Sequence, residues 1–109
     1  MSLEFKAHFW IEYHKGQVIG PGKKRLLEEI EKTGSIKSAA KAMKMSYRHA
    51  WEMTNTMNRN NAKPVVEKVT GGIKGGGTQL TKEGKKLIKV YEKAFKQFEV
   101  FKIRINKSL

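Results

Sequence analysis

Thr33-Gly34-Ser35-Ile36-Lys37-Ser38-Ala39-Ala40-Lys41-Ala42-Met43-Lys44-Met45-Ser46-Tyr47-Arg48-His49-Ala50-Trp51 is the stretch that decides the fold. Ser35 suits a helix N-cap, because its hydroxyl can accept from a free backbone N–H in the first turn. Ile36, Ala39, Ala40 and Met43 then recur at helical spacing. The small Ala39-Ala40 pair lets a second helix approach closely. Lys44-Met45 supplies a turn, and Ser46 caps the next helix. A small-residue helix, a tight turn and a second helix with polar residues at its start are the parts of a helix-turn-helix.

Downstream, the second helix runs from Tyr47 to about residue 58, with Ala50, Met53 or Thr54, and Met57 toward the core. Residues 63–80 read as a hairpin: Val65, Val66 and Val69 on an extended stretch, a flexible glycine-rich tip over 70–78, and Gln79-Leu80 returning. A hairpin directly after the second helix is the wing of a winged helix. Thr81 caps a last helix over 81–106. Its residues Leu87, Tyr91, Ala94, Phe98, Phe101 and Ile105 are spaced 4, 3, 4, 3 and 4 apart, a heptad seam too broad for one helix to bury on a small domain. A second copy of the chain is the expected partner for that seam.

Upstream, Leu26, Leu27 and Ile30 stripe a helix over 23–33, ended by Gly34 as a left-handed cap. Residues 4–19 are expected to form strands. Phe5, Ala7, Phe9, Ile11 and Tyr13 alternate with Lys6, His8, Trp10, Glu12 and His14, a period of two. Gln17-Val18-Ile19 returns after a Lys15-Gly16 turn. The expected architecture is mainly α with a small β component: a single winged helix-turn-helix domain over 1–109 with a long C-terminal dimerisation helix.

The chain has 109 residues and a formal charge of +13, with 23 Lys and Arg against 10 acidic residues. That excess favours a polyanion, nucleic acid above all. An anionic membrane surface is the weaker fit. There is no cysteine and no apolar run near the ~20 residues of a membrane span, and no secretory signal is visible, so a cytoplasmic location is expected. Every acidic residue is Glu, and the carboxylates are scattered. His8, His14 and His49 do not cluster in sequence. No catalytic residue, metal ligand or cofactor is therefore expected, and an enzyme is disfavoured. The lysines of the last helix read as a solvated face.

The candidate DNA contacts follow from the fold. Tyr47, Arg48, His49, Trp51, Glu52 and Asn55 lie on the second helix of the pair. Arg, Asn and Glu there match guanine, adenine and cytosine edges in the major groove. Ser35, Lys37 and Ser46 suit phosphate, and Thr70, Gly71 and Lys74 belong to the wing. For Trp51, core packing and DNA contact weigh equally at this level. Tyr47 also fits a core position. The tip is not a nucleotide-binding loop, because Thr78-Gln79-Leu80 rather than a helix follows it.

Gly20-Pro21-Gly22-Lys23, Met45-Ser46-Tyr47-Arg48-His49-Ala50-Trp51, Thr70-Gly71-Gly72, Gly75-Gly76-Gly77 and Leu80-Thr81 together resemble the N-terminal DNA-binding domain of the ModE-type molybdate-responsive regulators, over roughly residues 5–100. That domain is similar to the LysR-type winged helix. The resemblance implies a homodimeric, sequence-specific regulator of bacterial or archaeal transcription, acting on double-stranded DNA at a pseudo-palindromic site. Full-length family members carry C-terminal domains that bind molybdate or tungstate. The 109 residues have no room for them, so the chain is either a stand-alone short form, which is the expectation, or a fragment, and oxyanion binding is not carried over. Two other classes remain in play. A non-specific architectural DNA- or RNA-binding protein needs only the charge, and a protein-interaction module needs only the C-terminal helix.

Overall fold

A computed structural model describes residues 2–14, 16–71 and 76–109. Two antiparallel hairpins and four helices follow in the order β1 (Ile11–Tyr13), β2 (Gly16–Ile19), α1 (Pro21–Thr33), α2 (Ile36–Ala42), α3 (Tyr47–Asn60), β3 (Val66–Val69), β4 (Gly77–Leu80) and α4 (Lys82–Lys107). This is a winged helix, mainly α with small β.

Local chemistry sets the boundaries. Pro21 opens α1 where a missing N–H costs nothing. Gly34, at φ 74°, closes it with its N–H on the Ile30 carbonyl at 2.7 Å. The Ser35 hydroxyl accepts from the Ser38 N–H at 3.1 Å, and Ser46 accepts from the His49 N–H at 3.1 Å. Between α2 and α3 the chain turns through Lys44, whose φ of 55° is in the left-handed region. The turn holds because the Met45 N–H reaches back to the Ala40 carbonyl at 3.0 Å.

Leu26, Leu27 and Ile30 of α1, Ala39 and Ala40 of α2, and Ala50 and Met57 of α3 form one buried cluster with Val18, Ile19, Val65, Val66, Leu80, Ile88 and Tyr91. Thr54 is buried with its hydroxyl on the Ala50 carbonyl at 2.9 Å. Asn58 joins α3 to the wing. Its Oδ1 accepts from the Val65 and Val66 N–H groups, and its Nδ2 donates to the Val66 carbonyl. In the wing, Val66 pairs with Leu80 and Val69 with Gly77. Gly84 lets α4 lie directly on the Val65 carbonyl, where a Cβ would collide. Lys23 of α1 donates to the Gln17 side chain at 3.1 Å, and burial lowers its pKa from 10.5.

The N-terminal expectation needs correcting. Strand structure begins only at Ile11; residues 2–10 belong to no helix or strand. They run along the distal half of α4 instead. The Phe5 N–H donates to Asn106 Oδ1 at 2.7 Å, and Asn106 Nδ2 donates to the Phe5 carbonyl at 3.3 Å. The Phe9 ring lies 5.0 Å from Tyr91 and 4.9 Å from Phe98, and Phe5 meets Phe101 edge-on at 5.9 Å. The period of two does turn Phe5 and Phe9 to one side. What that side meets is an aromatic helix, since α4 presents Tyr91, Phe98 and Phe101 to it.

Candidate nucleic-acid interface

At about 100° per residue, the buried Ala50, Thr54 and Met57 fix which side of α3 faces outward. Arg48, Glu52 and Asn55 fall at the middle of that outward face, and all three are exposed. Arg48 Nε sits 3.2 Å from Glu52 Oε1, one helical turn away, with side-chain exposures of 89% and 54%. An exposed pair of this kind is worth only about 0.3–0.5 kcal/mol. It holds the guanidinium extended without locking it, so a base edge can compete for either partner. His49 is exposed on one flank of this face.

Tyr47 and Trp51 fall on the other flank. They are 53% and 45% exposed, so neither is a core residue; of the two readings open for Trp51, burial is excluded. Both line an open cleft of about 360 Å³ with Gly34, Ser35, Ile36, Lys37, Lys68, Gly76, Gly77 and Thr78. The cleft therefore brings α2, α3 and the wing strands together. A smaller concavity next to it shares Ile36, Trp51, Lys68 and Thr78 and is otherwise lined by Thr54, Asn55, Asn58, Val66 and Glu67.

Ser35 and Ser46 both spend their hydroxyls on helix caps, while Lys37 is exposed at the cleft. Thr70 and Gly71 are exposed just beyond β3. Lys74 lies outside the described residues. Lys68 and Thr78 were not singled out from the sequence. The available signal is the alternation of β3, which sets Lys68 on the same side as the buried Val66, facing back toward α3.

On α4, Tyr91 is buried and Leu87 packs against the core cluster. Phe98 is covered by Phe9, and Ile105 is half-buried. Phe101, 46% exposed, is left open, as are Val90 and Val100, which the heptad reading did not include. Ala94 is half-buried between them. Burial raises the pKa of the Tyr91 phenol.

No family model matches the chain. It is 40% identical over 90 residues to the molybdenum transport protein ModE of Azotobacter vinelandii, covering 83% of this chain and 33% of that protein. It is 42% identical over 82 residues to the transcriptional regulator ModE of Haemophilus influenzae, covering 75% and 32%. Over these residues the chain is similar to the ModE regulators. It spans about a third of the length of these ModE proteins. Among solved structures, the S. aureus MepR G34K mutant superposes with a TM-score of 0.61 at 17% identity, over 79% of this chain and 64% of that one. Streptococcus pneumoniae FabT, solved in complex with DNA, gives 0.53 at 20% identity, over 78% and 59%. The ModE likeness thus rests on sequence, and the MepR and FabT likenesses are to the fold alone.

Among the described residues, no helix is long and apolar enough to cross a membrane.

Proposed function

We propose that this chain is a DNA-binding transcription regulator that reads duplex sequence with the outward face of α3. The observation that carries the reading is the exposed Arg48, Glu52 and Asn55 trio at the centre of that face, on a chain of charge +13. These are side chains that discriminate base edges, and phosphate-binding groups flank them. The ModE relatives, one of them named as a transcriptional regulator, support the same reading.

In the mechanism we propose, lysine contacts to phosphate hold the chain on the duplex, and Arg48 leaves Glu52 for a guanine edge. Glu52 is then free to accept from a cytosine amino group. The protein acts as a homodimer on a pseudo-palindromic site, with the two α3 helices about 34 Å apart in successive major grooves. The exposed Val90, Val100 and Phe101 on α4, with the half-buried Ala94, support that dimer; Val100 and Phe101 line a shallow concavity with Lys96, Gln97 and Arg104.

The test is selection of bound duplexes from a genomic pool at about 0.15 M salt, where long-range attraction is already screened. An inverted repeat with half-sites one helical turn apart is expected. Arg48→Ala is expected to weaken binding to the selected site by about 1–3 kcal/mol and to leave random duplex nearly unaffected. Recovery of unrelated fragments, or equal loss on both duplexes, overturns sequence-selective reading by α3.

A further inference from the structure

We infer that the cleft between α3 and the wing strands seats one stretch of DNA sugar-phosphate backbone, with Lys37 and Lys68 on phosphate and Tyr47 and Trp51 against the deoxyribose. The inference rests on the DNA reading above and assigns two aromatic residues and a wing-strand lysine a positioning role rather than a base-reading one.

Four observations carry it. The first is placement. The cleft lies on the flank of α3, beside and not on the face that holds Arg48, Glu52 and Asn55. When that face enters a major groove, the strand bordering the groove runs along the flank. The second is charge. Among the described residues, neither Lys37 nor Lys68 makes a salt bridge, and no carboxylate lines the cleft beside them. The third is unspent donors. Among the described residues, the Trp51 indole N–H and the Tyr47 hydroxyl have no intramolecular hydrogen bond, while the other tryptophan, Trp10, donates to Glu12 at 2.7 Å. An amphipathic ring with a free donor fits a sugar face and a phosphate oxygen together.

The fourth is rigidity. The Thr78 N–H donates to the Gly34 carbonyl at 2.9 Å, fastening β4 to the turn between α1 and α2. At Gly77 a Cβ would stand 2.6 Å from the same carbonyl oxygen, so only glycine allows this approach. Asn58 fastens the other wing strand to α3. The cleft walls are therefore set before DNA arrives, and binding does not have to order them.

A Trp10→Phe variant of the whole chain leaves Trp51 as its single tryptophan. Its emission and the anisotropy of a labelled duplex are followed in the same titration, over a range of salt, with and without Lys68→Ala. The expected result is a change in Trp51 emission that saturates with the anisotropy. Lys68→Ala is expected to lower the slope of log K against log salt by about one, equally on selected and random duplex. Lys68→Arg restores the slope. The seat is overturned if duplex binds while Trp51 emission stays constant and the Lys68→Ala slope is unchanged. It is also overturned if Lys68→Ala weakens only the selected sequence, since that makes Lys68 a base reader. Absence of any anisotropy rise sinks the DNA reading itself.

Discussion

The wing-side flank of α3 and the distal face of α4 both leave large apolar side chains in water, yet they differ in everything around them. Tyr47 and Trp51 stand in a cleft whose rim carries Lys37 and Lys68. Val90, Val100 and Phe101 lie exposed along a helix of 26 residues, next to the Tyr91 and Phe98 rings that Phe9 already covers. Exposed aromatic area alone does not name a partner. Unpaired cations beside an aromatic ring suit a polyanion; exposed apolar side chains along a helix suit another helix. The two surfaces also rest on different supports. The α3 surface is pinned by Asn58 and by the Thr78 to Gly34 bond. The α4 surface is held by Gly84, Ile88 and Tyr91 at one end and, farther out, by the N-terminal segment.

The largest expected effect removes this difference altogether. Tyr91 is 2% exposed and stacks on Phe9 at 5.0 Å, so it ties both the body and the N-terminal segment to α4. Tyr91→Ala is expected to cost about 3–5 kcal/mol of unfolding free energy, read from denaturant melts. That is a large share of the stability of a small domain. A loss below about 1 kcal/mol would show that α4 is supported elsewhere.

Two surface changes separate the faces reciprocally. Arg48→Ala should reduce duplex discrimination and leave self-association untouched. Val100→Lys should do the reverse: weaken self-association by about tenfold or more, roughly 1.4 kcal/mol, with the melting of the monomer shifted by less than about 0.5 kcal/mol. Sedimentation equilibrium reads the first quantity. An unchanged association constant would remove these side chains from the dimer.

Smaller effects refine each side. Lys44 holds a φ of 55° in the turn before α3. Lys44→Gly is expected to raise stability by at most about 1 kcal/mol, as relief of strain is partly offset by a freer unfolded chain. A loss would mean that the lysine side chain makes a contact worth more than the strain. On the α4 side, burial raises the Tyr91 phenol above its usual 10.0. The unfolded chain therefore releases this proton first, so stability falls as pH climbs past about 10. Tyr91→Phe should flatten that alkaline decline, seen as melting temperature against pH.

Much of this architecture was legible along the chain because its causes are local. A capping hydroxyl acts over three residues, as Ser35 and Ser46 show. Gly34 meets the demand for a positive φ at the end of α1, and Leu26, Leu27 and Ile30 keep helical spacing because one face of α1 is buried. The Arg48, Glu52 and Asn55 face follows from the same periodicity once Ala50, Thr54 and Met57 are recognised as core. What lies against each surface depended on packing at long range. Alternation turned Phe5 and Phe9 to one side but carried no information on whether a strand or a helix would meet them. Trp51 has equal claims to core and surface until the wing takes its place beside α3, since an amphipathic ring is stable in either setting. Lys68 becomes a rim residue only when β4 fastens to Gly34 and closes the cleft around it. The seam on α4 likewise divides into covered and open rings through the contacts of Tyr91 and Phe98 with the distant Phe9, which no local pattern encodes.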